Sequence, residues 1–139
     1  MGALYRRQKN MSDTHQFRGD DAEMNSAIEE ARRRLPELRR LLDEDARRLI
    51  PTIEGALVKA RFQSPITLKI EHMWIEDARF EEDKIVGTLA SDPIDLPDLS
   101  KGERVSVSPA DVTDWICRQG GRTMGGFTVR VMQRRVLDP

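Results

Sequence analysis

An α+β fold is what the sequence predicts: an N-terminal helix, kinked or split near Pro36, packed on a small, mainly antiparallel twisted sheet, of which an SH3-like arrangement is one form. Three observations carry this. Apolar residues recur every three or four positions from Met24 to Leu42, which marks one face of a helix. From Ala56 onward they alternate instead, which is the period of a strand. Between the alternating runs stand clusters of Gly, Pro, Ser and Asp that make turns. At 139 residues the chain has the length of one domain and can bury a core without staples.

Residues 1–19 are polar and lack periodicity, and they read as a flexible arm ahead of a single domain at 20–139. Met11 is a second candidate start, with residues 1–10 then an upstream extension. Asp20 or Asp21 is the expected N-cap of a helix whose apolar face is Met24, Ala27, Ile28, Ala31, Leu35, Leu38 and Leu42. Pro36 lacks an amide donor and clashes with the preceding turn, so a kink or a restart is expected there. Residues 56–62 form a loosely alternating strand that ends at Gln63-Ser-Pro65. Residues 66–75 are the clearest strand, with Ile66, Leu68, Ile70, His72 and Trp74 on one face. Residues 85–89 return as the second arm of a hairpin. A proline-punctuated loop follows over 91–98, then a strand over 104–107. Ser108-Pro-Ala-Asp111 has the composition of a single helical turn. Gln119-Gly-Gly-Arg122 signals a hairpin, and residues 125–132 fit a strand and a helix equally well.

Composition narrows the function. The charged fraction of 34% exceeds the usual ~25%. Yet Lys+Arg 23 against Asp+Glu 24 leave a net charge of −1, without the basic excess of a protein that grips phosphates. The charge is patterned. Residues 71–98 hold nine acids against two bases, whereas residues 118–135 hold five arginines and no acid. The two segments are expected to face each other or to solvate the surface; a basic anion or partner patch at 118–135 is the sharper alternative. The single Cys117 rules out an internal disulfide and fits a reducing compartment, so cytoplasm is expected. No apolar run approaches the roughly 18–20 residues of a membrane span, and no secretory signal is apparent.

Catalytic constellations are sparse. The chain has two histidines, His15 and His72, too few for a histidine-based metal site, and no phosphate-cradling glycine loop or nucleophile elbow. No cofactor is expected. His72 lies beside Trp74, where a partner could tune an imidazole for acid–base work, but Glu71 points to the opposite face of the strand. Asp114 is expected to cap a turn or pair with an arginine. Arg130, set between Val129 and Val131, is expected to anchor a carboxylate such as Asp114 or Glu71. His72, Trp74, Asp114, Trp115 and Arg130 are the candidate partner-binding residues.

Five segments in order, Glu71-His-Met-Trp-Ile75, Gly87-Thr-Leu89 with Asp92-Pro93, Gly102-Glu-Arg-Val-Ser-Val107, Val112-Thr-Asp-Trp115 and Gly125-Gly-Phe-Thr-Val-Arg-Val131, resemble the bacterial domain-of-unknown-function 2314 family, the YegJ-like proteins. The resemblance spans residues 21–135 and implies a fold but no site residues, activity or cofactor. It also implies occurrence as single small proteins or beside ankyrin-type repeats. Residues 43–56 look longer and more helical than the family pattern. The expected function is a non-enzymatic interaction domain whose partner is another protein or a small ligand, with immunity-type toxin neutralisation as one variant. The alternatives are an enzyme using His72 with Arg130, and nucleic-acid binding through the 118–135 arginines.

Overall fold

The computed structural model describes residues 21–137, so the expected arm over residues 1–19 lies outside the described residues. Helix α1 spans Ala22–Arg33, and the Asp21 carboxylate caps it by accepting the Met24 amide at 3.1 Å. Arg34 leaves helical geometry, and α2 restarts over Leu35–Ala46 with Pro36 in its first turn, where a missing N–H costs nothing. The split near Pro36 is therefore as the sequence predicts. In the last turn of α2, the buried Asp45 carboxylate accepts the Thr52 amide at 2.7 Å, the Thr52 hydroxyl at 2.9 Å and the Ile53 amide at 3.2 Å. These bonds, the Thr52 amide first, hold Asp45 below the usual carboxylate range and fix the turn into the sheet.

Six antiparallel strands follow: β1 Ile53–Gln63, β2 Ile70–Glu81, β3 Lys84–Leu89, β4 Arg104–Val107, β5 Val112–Gln119 and β6 Arg122–Gly125. They lie in the order β4-β3-β2-β1-β5-β6, an open sheet with two edges and not a closed SH3-like barrel. Pro109–Asp111 forms the expected helical turn, with the Ser108 hydroxyl accepting the Ala110 amide. Gly120 and Gly121, at φ 57° and 77°, make the β5–β6 hairpin, a conformation that favours glycine at both positions. Residues 125–132, open between strand and helix in the sequence, resolve into the end of β6 and helix α3, Phe127–Leu137.

One strand begins later than predicted. β2 begins at Ile70 and not at Ile66, because residues 64–69 fold back on Ser64. The Ser64 amide donates to the Lys69 carbonyl and its carbonyl accepts the Leu68 amide, both at 2.9 Å, while its hydroxyl accepts from Ile66 and Thr67 at 3.1 Å. Leu68 is thereby held at φ 63°, and Ile66 and Leu68 point into solvent. Their alternation belongs to a turn.

The three helices cover one face of the sheet. Met24, Ala31, Leu35, Leu38, Phe127 and Val131 pack there on Val58, Ala60, Ile75, Trp115 and Cys117. Trp115 is fully enclosed; its indole Nε1 donates to the Ala31 carbonyl at 3.1 Å, and its ring meets Phe127 edge-on at 5.6 Å. Gly125, at φ 86°, lets the chain turn from β6 into α3 against this tryptophan; a β-carbon there would lie 2.1 Å from the Trp115 carbonyl oxygen. Among the described residues no helix is long and apolar enough to cross a membrane.

Candidate functional site

Alternation sends Leu57, Lys59 and Arg61 of β1, His72 and Trp74 of β2, and Ile116 of β5 to the face away from the helices. Pairing then aligns them. Lys59 stands opposite Trp74 on one side and Asp114 on the other, and Arg61 stands opposite His72. The Lys59 ammonium lies 5.4 Å from the Trp74 ring centroid and donates to the Thr128 hydroxyl at 2.8 Å. A bulge after Lys59 inserts Thr113 into β5, and its hydroxyl lies 3.3 Å from His72 Nδ1. The result is a row of indole, ammonium and imidazole flanked by the exposed Arg61 guanidinium.

Burial, and then the charges of Lys59, Arg61 and Arg32, push the His72 pKa down to about 3. The imidazole is therefore neutral at physiological pH and too weakly basic to store a proton for catalysis. Arg32 reaches the site's margin from α1, its Nε donating to the Val112 carbonyl at 2.8 Å. Glu71 is turned away, as the alternation predicts; its carboxylate accepts the amides of Ile94 and Asp95 across the sheet's opposite face.

The other predicted residues separate. Asp114 is buried and caps α3: its carboxylate accepts the Trp115 amide at 2.8 Å, the Phe127 amide at 3.0 Å, the Thr128 amide at 2.9 Å and the Thr128 hydroxyl. This is possible because β6 pairs only with residues 116–119, leaving the edge of β5 beside Asp114 open to the helix end. Trp115 belongs to the core. Arg130 anchors neither Asp114 nor Glu71: its Nη1 donates to the Gly125 carbonyl at 2.6 Å, and its guanidinium stacks on Phe127 at 5.2 Å. Arg134 and Arg135 pair with Glu23 and Asp21 at the start of α1, so these two arginines of the basic segment face that helix and not residues 71–98. Their charge is largely spent within the fold, which weakens the nucleic-acid alternative. Cys117 is buried, and burial pushes its thiol pKa up, as for an inert core cysteine.

Lys59, Arg61, Thr113 and Thr128 were not among the residues singled out from sequence. The period-2 pattern puts Lys59 and Arg61 on one face, but only the β1–β2 register puts them opposite Trp74 and His72. Among the described residues no cluster of His, Cys, Asp and Glu could hold a metal ion.

Fold and surface together define an α+β module with helices on one sheet face and a cation–aromatic row on the other. The chain belongs to the family of uncharacterized proteins conserved in bacteria (DUF2314), whose model matches residues 21–138. It is 35% identical over 120 residues to a Neisseria meningitidis serogroup B protein provisionally named an ankyrin repeat protein, a match covering 85% of this chain and 47% of that one. It is 27% identical over 69 residues to the uncharacterized protein YegJ of Escherichia coli K12, covering 48% of this chain and 45% of YegJ. The chain thus spans about half the length of the curated relatives it matches. No solved structure matches it.

Proposed function

We propose that residues 20–139 act as one non-enzymatic interaction domain that binds an acidic segment of a partner protein on the outer face of β1 and β2. The observation that carries this reading is the Trp74–Lys59 contact at 5.4 Å with Arg61 and His72 in the next row. An indole supplies contact area at low entropic cost, and Arg61 and Lys59 supply charge for carboxylates. The relative named as an ankyrin repeat protein is compatible with an interaction role. A neutral His72, turned away from Glu71 and without Arg130 in support, favours binding over acid–base catalysis. The lone buried Cys117 supports a reducing cytoplasmic setting.

The test is quantitative capture from a bacterial host lysate by tagged wild-type protein, Trp74→Ala and Arg61→Glu, each checked for folding by circular dichroism. A specific partner held by wild type and lost by both variants, with release by added salt, is expected. Equal capture by all three proteins would overturn the proposal.

A further inference from the structure

The outer face of the sheet continues past Lys59 along the β1–β5 seam. There Leu57 stands opposite Ile116, and Gly55 opposite Arg118. Leu57 and Ile116 are half-buried, yet neither packs with the buried apolar residues of the helix side, so they form an apolar strip on the outer face. A β-carbon on Gly55 would meet nothing within 4 Å, so the strip is open at that end. Exposed guanidiniums bound it: Arg61 beside His72 at one end and Arg118 at the other. From Gly55 to Arg61 the strand runs about 20 Å. Among the described residues neither guanidinium is paired with a carboxylate, so both charges can serve a partner. Of the acids on this face, Asp114 is taken up by the α3 cap, and Glu76 stands on β2, off the seam.

β1 is a central strand with β2 on one edge and β5 on the other, so its amides and carbonyls are committed to those neighbours. A segment lying on this face cannot join the ladder. It must satisfy its own backbone, as a helix does. An apolar stripe on such a helix fits Leu57, Ile116 and the Trp74 ring, while carboxylates at its two ends meet Arg61 and Arg118. A spacing of about 14 residues, close to four turns, covers the distance and brings both carboxylates to the same side of the helix. Among the described residues no helix of this chain is of that kind. α1 and α2 already bury their apolar stripes, and the exposed end of α3 carries Arg134 and Arg135. Residues 1–20 have the wrong sign, with Arg6, Arg7, Lys9 and Arg18 against Asp13 and Asp20.

We infer that the acidic segment received by this face is an amphipathic helix of another protein, laid along the β1–β5 seam from Arg61 to Arg118; this rests on the acidic-segment reading of the outer face. Fluorescence polarisation of labelled peptides of about 18 residues, titrated with the full chain, tests it. One peptide carries a leucine stripe with glutamates about 14 residues apart on the same side. A second has the same composition scrambled to lose the stripe, and a third has a central proline. The striped peptide binds best, and Arg61→Glu and Arg118→Glu, each checked for folding by circular dichroism, weaken it about fivefold. Arg118 lies outside the Trp74–Arg61 patch, so it separates the two readings. If Arg61→Glu weakens binding and Arg118→Glu does not, or if the scrambled and proline peptides bind as tightly as the striped one, the acidic-segment reading stands and the helix is overturned. A striped peptide that does not bind also overturns the helix. Binding that neither variant weakens sinks both readings. Wild type that self-associates, with Arg118→Glu abolishing it, assigns the face to a second copy and overturns the inference.

Discussion

The two faces of the β1–β2–β5 sheet are built from the same strands and do opposite work. On the helix side Val58, Ile75 and Trp115 are completely enclosed, and the one polar atom of Trp115 is satisfied by Ala31. On the other side Lys59, His72 and Trp74 keep part of their surface, and burial, then nearby positive charge, depresses the imidazole pKa. The lesson is a division of labour at single-residue spacing. One set of alternate residues holds the fold together, and the residues between them carry the polar and charged chemistry. Asp114 is the exception: it lies in the outer row by register, yet it serves the core by capping α3.

Substitutions on the two faces sharpen that contrast. The largest expected effect is Trp115→Ala, which empties a fully buried indole site, removes the edge contact with Phe127 and orphans the Ala31 carbonyl. A loss of about 3–5 kcal/mol in urea unfolding is expected. A cost under 1 kcal/mol would mean that the helix face is not the stabilising one. Next comes Asp114→Ala, which leaves the Phe127 and Thr128 amides without their carboxylate, at a cost of about 2–3 kcal/mol. Asp114→Asn retains one acceptor oxygen and falls between. Hydrogen exchange at the first turn of α3 should rise first in both variants.

Trp74→Ala, on the outer face, should change stability by less than about 1 kcal/mol, the worth of its partly exposed contact with Lys59. A drop comparable to that of Trp115→Ala would erase the distinction between the faces. The outer face also predicts a pH slope. The unfolded chain protonates His72 near 6.5 and the folded chain only near 3, so the unfolded state holds more protons between these values and acid favours it. Stability should therefore fall as the pH drops below 6.5, and His72→Gln should flatten the curve in the part of that window above 4.5, the ordinary glutamate value. A wild-type curve as flat as the variant's would show that His72 is protonated equally in both states.

Much of the architecture was legible in the chain. The apolar series from Met24 to Leu38 is the buried face of α1 and α2, and the break at Pro36 falls within two residues of the observed one at Arg34. The Ser108 turn and the double-glycine hairpin are local chemistry, and they appear as read. The misread strand start is also local, but competing: Ile66 and Leu68 alternate like a strand, while Pro65 and the Ser64 hydroxyl impose a turn. Which face of β2 is the core was misleading for a related reason. Ile66, Leu68 and Ile70 made the His72–Trp74 side look apolar, but the helices pack on Ile75, and Met73 packs with Leu89 and Leu96. Of the five candidate residues, His72 and Trp74 remain on one accessible face, whereas Asp114 and Trp115 are enclosed and Arg130 stacks on its own helix's first residue.

By itself the sequence determined the fold class, the split helix, the turn positions and the family, because each is written in periodicity, in proline and glycine placement, or in ordered local motifs. Only the tertiary structure decided that Lys59 stands between Trp74 and Asp114, that Asp114 reaches across the open end of β5 to cap α3, and that the C-terminal arginines pair with α1. Those contacts join residues from 13 to 114 positions apart. They depend on strand register and helix docking, which arise from the burial of the whole apolar face at once and leave no mark in any single segment.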